Sequence, residues 1–215
     1  WGHDQHFVED EEKYFRWGRE AAAPRPWFWI PETFTLAKRI LEAEEFRLLW
    51  YAAIGNGLKG IRYYQYGEVP GAPQQKGYEK SPSLFAEVKK VNGDIKKLEP
   101  ILAPALPISS QIVGDHQKGV LQYTLWSGDE GVLVIARNMD YTTDRKPNDL
   151  GRKPRFKFTP KTNVELVVQK PLWWKEGRDT AHGSRLTVVD PLTQEVIPHQ
   201  EDPETIRIPL AKLEL

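Results

Sequence analysis

The chain reads as an α/β segment followed by an antiparallel β segment, on three observations. Up to about residue 100 the apolar residues alternate between helical and strand spacing; beyond it only short strand-like runs appear, separated by Gly, Pro, Asn and Asp; and between the two, Glu99, Pro100, Ala103, Pro104 and Pro107 interrupt the helical spacing. The boundary is placed at residues 106/107, and a length of 215 residues suits one large domain or two modest ones.

Residues 7–22 carry Phe7, Tyr14, Phe15, Ala21 and Ala22 close to one helical face, with Pro24 just beyond, and are read as a helix. Residues 26–31, Pro-Trp-Phe-Trp-Ile-Pro, form a short apolar run bounded by prolines, which suits a strand buried in a parallel sheet. A second helix spans about 42–54, where Phe46, Leu49, Trp50, Ala53 and Ile54 fall at i, i+3, i+4, i+7 and i+8, with Gly55 and Gly57 as its left-handed stop. Gly60 to Tyr66 reads as a second strand, followed by a loop long enough to shape a site. Ser81 is then expected to cap a third helix with Pro82 in its first turn, and Pro100 to end it.

Beyond the boundary, Val120 to Trp126 and Val132 to Asn138 flank a glycine-containing connection of hairpin type. Further strands are expected at 155–158, 164–168, 185–189, 195–197 and 205–208, with a last one near 210–215, a pattern that fits a β-sandwich. The stretch from Thr142 to Pro154, rich in Lys, Arg, Pro and Gly, reads as a loop.

Two parallel strands cannot form a stable sheet alone, because such strands are buried on both faces and need neighbours along both edges. Residues 1–106 are therefore expected to be the closing part of a (β/α)8 barrel, a TIM barrel, whose ~250 residues would lie partly upstream of Trp1. The absence of an initiator Met agrees with a trimmed or fragmentary product.

Composition narrows the function. The 30 basic and 30 acidic side chains cancel, so charge gives no reason to expect nucleic acid or an anionic membrane as partner. No apolar run reaches the ~18 residues of a membrane span. Zero cysteines exclude a disulfide framework, a thiolate metal site and a cysteine nucleophile. No phosphate-cradling Gly-rich loop, G-x-S-x-G or H-E-x-x-H occurs, and no cofactor is expected.

Glu32 is the leading candidate for chemistry. Strand alternation puts Phe28, Ile30 and Glu32 on one side, and residues at the C-terminal ends of barrel strands face the active site. It reads equally as nucleophile or general base and as a first-turn or salt-bridged rim carboxylate. Tyr64, Tyr66 and Glu68 at the end of the second strand, with Trp29 in the first, suit a sugar: rings stack on its C–H face while polar groups hold hydroxyls. The same tyrosines equally suit packing under flanking helices. His3 and His6 with Asp4 lack a ligand spacing, so no metal site is assigned. Trp173 and Trp174 read either as a glycan platform or as sandwich core.

The runs "RPWFWIPETF", "EAEEFRLLWYAAIGNGLKGIRYYQYG" and "SPSLFAEVKKVNGDIKKLEPIL" resemble the last two strands and last helices of glycoside hydrolase barrels of the β-galactosidase-like clan A group. The pattern joining strands seven and eight there is similar to Glu45, Arg47, Tyr51, Ala53, Gly57, Lys59, Gly60 and Ile61 here, and the closing "TIRIPLAKLEL" looks like the end of the small C-terminal β-sandwich that follows such barrels. The resemblance implies a strand-seven nucleophile at Glu32, sugar-subsite aromatics around Tyr64 and Tyr66, and a second carboxylate from strand four, to which no residue of this chain corresponds. The expected partners are a glycoside or oligosaccharide and the upstream polypeptide that completes the barrel. The alternative is a non-catalytic carbohydrate-binding or scaffold protein.

Overall fold

A computed structural model describes residues 7–31, 33, 40–64, 66–68, 71, 76–114, 119–128, 131–143, 156–170 and 187–213. The chain is mixed α/β. Its first part consists of α1 (Phe7–Ala22), β1 (Phe28–Trp29), α2 (Ala43–Gly55), β2 (Gly60–Ile61), a 3-10 turn (Tyr78–Lys80) and α3 (Pro82–Leu102). The strands β1 and β2 are parallel, with Phe28 opposite Gly60 and Trp29 opposite Ile61.

The remainder is antiparallel: β3 (Leu106–Val113), β4 (Val120–Trp126) and β5 (Val132–Asn138) form one sheet; β6 (Tyr141–Thr143) pairs with β7 (Phe156–Phe158); and β8 (Lys161–Gln169), β10 (Thr205–Leu213) and β9 (Gln200–Glu201) form a third in the order β8-β10-β9. The two three-stranded sheets face each other across Val120, Leu166, Val168, Ile206 and Ile208, an arrangement compatible with a β-sandwich.

Alternation decides where β4 and β5 put their side chains. Val120, Val132 and Val134 point to the facing sheet, whereas Tyr123, Leu125 and Leu133 join Phe46, Leu49 and Ile54 of α2 in the larger core. That core crosses the expected boundary at residues 106/107. At the seam the Tyr123 ring lies directly over Gly55, where a Cβ would collide with it, so Gly55 serves contact and the stop belongs to Gly57 at φ +80°.

Several elements differ from expectation. The helix α3 runs through Pro100 to Leu102. A proline so near a helix end displaces few bonded neighbours, and the terminus gains another partner: Lys59 Nζ donates to the carbonyls of Leu102, Ala103 and Ala105 at 2.8, 3.1 and 2.5 Å. Ser81 occupies the N-cap position without a side-chain cap bond, leaving Pro82 as the start signal. Residues expected as linker form β3 from Leu106, because pairing with β4 through Val113 outweighs the local proline at position 107. The two strands expected at 205–208 and 210–215 are one continuous β10, and the described parts of 185–189 and 195–197 contribute a single bridge, Val189 to Val196.

Candidate functional site

The parallel pair is longer in its hydrogen bonds than in its two-residue strands. Lys59 N donates to Trp27 O at 3.2 Å, Arg62 N to Trp29 O at 3.0 Å, Tyr64 N to Pro31 O at 3.2 Å, and Thr33 N to Tyr64 O at 2.7 Å. The last two bonds bring the C-terminal ends of both strands together around position 32. Glu32 itself, like Gln65, lies outside the described residues; its neighbours Pro31 and Thr33 are both buried.

The two faces of this pair differ. One is covered: Phe15 of α1 packs against Trp27 and Trp29 at ring separations of 5.8 and 5.0 Å, Phe46 of α2 meets Tyr63 at 6.0 Å, and Trp27 Nε1 donates to Asn56 O at 3.1 Å. The other face is open. Phe28 and Ile30 are 65% and 57% exposed, and Arg62 and Tyr64 are exposed beside them. Trp29 therefore belongs to the covered face, and strand alternation turns it away from the sugar-binding position expected for it.

Tyr66, largely exposed, meets Tyr78 edge-on at 5.3 Å and Phe85 at 6.2 Å, and Tyr78 meets Tyr63 at 5.9 Å. Burial pushes the phenols of Tyr63 and Tyr78 above their ordinary range. Tyr66 is thus braced from behind and accessible in front, while Tyr63 is packing, with its hydroxyl on Asn92 Oδ1 at 2.5 Å. Glu68 is exposed just beyond.

No family model, curated protein or solved structure matches the chain.

The residues that carry the sequence pattern prove to be ties between elements. Glu45, buried, accepts from Glu42 N at 2.9 Å and Phe156 N at 3.2 Å, which joins the start of α2 to β7. Arg47 grips Glu87 of α3 through Nε and Nη2 at 2.6 and 2.5 Å, and this bond further favours its charged form. Tyr51 reaches Asp94 Oδ2 at 3.5 Å; burial and that carboxylate push it up to about 12. Gly60 lies beneath the Phe28 ring. Glu45 thereby ties α2 to β7, and Arg47 and Tyr51 tie α2 to α3.

His3, His6, His116, Trp173, Trp174 and His182 lie outside the described residues. His199 only approaches Ile197 O at 3.2 Å, and no cluster of three potential metal ligands exists among the described residues. No helix among them is long and apolar enough to cross a membrane.

One polar cluster escaped the sequence reading. Arg137, 2% exposed, donates through Nη1 to Glu12 and to the Tyr123 hydroxyl, each at 3.2 Å; Tyr123 also bonds Glu12, and Asn56 Nδ2 reaches the other Glu12 oxygen at 2.7 Å. Burial pushes the Tyr123 phenol up strongly. The cluster fastens α1 and the end of α2 to β4 and β5. Its only sequence signal is Arg137 on the inward side of a strand shared with Leu133 and Ile135, a charge that would need a partner there. A separate cleft of about 1060 Å³ runs from α2 and α3 along β5 to β8, β10 and the 187–197 segment, lined by Tyr51, Leu98, Val134, Leu166, Ile197 and Ile208 among others. It takes no residue from β1 or β2.

Proposed function

We propose that the chain is the closing part of a (β/α)8 glycoside hydrolase, followed by a C-terminal β-sandwich, and that Glu32 is one of its two catalytic carboxylates. The observation that carries this reading is the parallel pair itself: helices cover one face, the other is open and aromatic, and the strand ends meet around position 32. By the alternation read from the sequence, Glu32 continues the row of Phe28 and Ile30. Barrel enzymes place their chemistry at this end of the strands.

In this reading Tyr64 and Tyr66 supply rings for the C–H face of a sugar, and Glu68 a hydroxyl acceptor, whereas Trp29 acts only by packing on Phe15. Glu32 attacks the anomeric carbon or activates water there, while a carboxylic acid from the upstream polypeptide protonates the leaving oxygen. The separation of the two carboxylates sets the stereochemical outcome, ~5 Å for retention and wider for inversion.

The test is Glu32→Gln in the complete protein, assayed on a panel of chromogenic glycosides. Hydrolysis is expected to fall by several orders of magnitude with an unchanged circular dichroism spectrum; unchanged hydrolysis overturns the assignment.

A further inference from the structure

The cleft beside β5 carries an inference about a partner. Its lining takes in six consecutive residues of that strand, 132–137. Val132, Val134 and Ala136 belong to the core shared with the facing sheet, Leu133 and Ile135 to the core shared with α2. Side chains from both faces of one strand meet the same cleft only where the cleft takes in the strand's edge. β5 is an outer strand of its sheet, whose order is β3-β4-β5. Leu48, Tyr51 and Ile54 of α2 wall the cleft on one side of that edge, and Leu166 of β8 and Ile208 of β10 on the other. The space is a slot along a strand edge, between two apolar walls.

The main chain of that edge is unpaired. Met139 N donates to Gly119 O at 3.0 Å and Ser127 N to Gly131 O at 2.8 Å, which with the register makes Leu133, Ile135 and Arg137 the residues bonded to β4. Val134 and Ala136 therefore turn N–H and C=O to the outer edge, where no partner among the described residues takes them. A second unpaired group is charged. Arg137 lies on the α2 side, and Glu12 and Tyr123 occupy its Nη1, yet its Nε and Nη2 are buried without an acceptor. A buried N–H left without an acceptor is costly, and Nε–H beside Nη2–H forms a fork that fits the two oxygens of a carboxylate. Asp190 in the lining does not fill it: that carboxylate accepts from Leu192 N and Thr193 N at 2.8 and 3.4 Å.

We infer that the slot is a docking site for an extended peptide of a partner protein, which adds a strand to β5 and brings one carboxylate to Arg137. The peptide's main chain bonds Val134 and Ala136, and its successive side chains enter the α2 wall and the β8 and β10 wall in turn. Both of its faces are therefore apolar, save for one acidic residue on the α2 side, set opposite Arg137 as a cross-strand pair of opposite charge. Apolar residues two and four positions along then face Ile135 and Leu133. An acyl chain with a carboxylate would suit the walls and the fork but leave the strand edge unpaired, so the row of main-chain groups decides for a peptide. The slot takes nothing from β1 or β2, and the inference stands apart from the sugar reading.

The experiment titrates the 215-residue chain into a fluorescein-labelled synthetic peptide, Glu-Val-Ile-Val-Ile-Val-Lys-Lys, whose lysines serve solubility, and follows fluorescence polarisation. Saturable binding is expected, weakened about tenfold or more when Gln replaces the peptide's Glu. Of two versions N-methylated at alternate residues, the one whose methyl groups face β5 should not bind. Bound peptide should slow amide exchange at Val134 and Ala136 by about tenfold or more. Arg137→Met, once its circular dichroism spectrum matches the parent's, should bind the Glu and Gln peptides alike. No saturation, equal binding of the Gln peptide or of both methylated versions to the parent chain, or unchanged exchange at Val134 and Ala136 overturns the inference. A preference for Glu retained by Arg137→Met overturns it too. Saturable binding of decanoate without any of the peptide overturns it in favour of an acyl ligand.

Discussion

The amide of Thr33 bonds the carbonyl of Tyr64 at 2.7 Å, so the residue after Glu32 is fastened to the end of the neighbouring strand. The tie is made by the main chain of Tyr64, whose ring is largely exposed. Tyr64→Ala keeps the carbonyl and removes the ring. It is expected to leave the melting temperature of the chain within a few degrees and, under the proposed function, to raise the KM of the complete protein for a glycoside roughly tenfold, the equivalent of ~1.4 kcal/mol of lost contact. Steady-state kinetics beside a thermal melt check both halves.

Two glycines beneath aromatic rings should respond differently. Gly55 lies under Tyr123, which is buried and bonded to Glu12 and Arg137, so the ring cannot yield; Gly60 lies under Phe28, whose exposed ring can swing away. Gly55→Ala is expected to cost about 2 to 3 kcal/mol in urea unfolding, and Gly60→Ala under about 1 kcal/mol. Equal costs would mean that the seam between α2 and β4 is looser than described.

The Arg47–Glu87 pair joins α2 to α3 with Glu87 only 6% exposed. Glu87→Ala leaves a partly buried guanidinium unpaired and is expected to destabilise by about 2 kcal/mol; Glu87→Gln, which keeps the shape and one acceptor, should cost roughly half of that. Chemical denaturation of both variants measures the difference.

Stability should fall at alkaline pH. Tyr51 titrates near 10 when unfolded and is raised to about 12 when folded, by burial first and Asp94 second. Its neutral form is favoured by folding, so this contribution is complete below pH 10 and is lost as pH rises from 10 through 12. Tyr63 and Tyr123, also raised by burial, act in the same direction. Unfolding free energies at pH 9 and 11 should differ less in Tyr51→Phe than in the parent chain.

Periodicity made much of this legible in the sequence. The stripe of Phe46, Leu49, Trp50, Ala53 and Ile54 located α2, and alternating runs located β4 and β5. What escaped was decided by distant partners. Pro100 and Pro107 read locally as breakers, yet Lys59 supports the end of α3 and pairing with β4 holds β3. Trp29 and Phe28 are alike in composition, and only the position of Phe15 decides which of them is covered. The Glu12–Tyr123–Arg137 cluster joins residues more than a hundred positions apart, a distance over which no spacing rule speaks.

The proposed function requires β1 and β2 to be interior strands of a larger parallel sheet. A crystal structure of the natural gene product tests this most directly. Strands parallel to β1 and β2 are expected along both outer edges, with the Glu32 carboxylate facing a second carboxylate across the enclosed end. A two-stranded β1–β2 ribbon with both edges and the Phe28–Ile30 face left to solvent would contradict it.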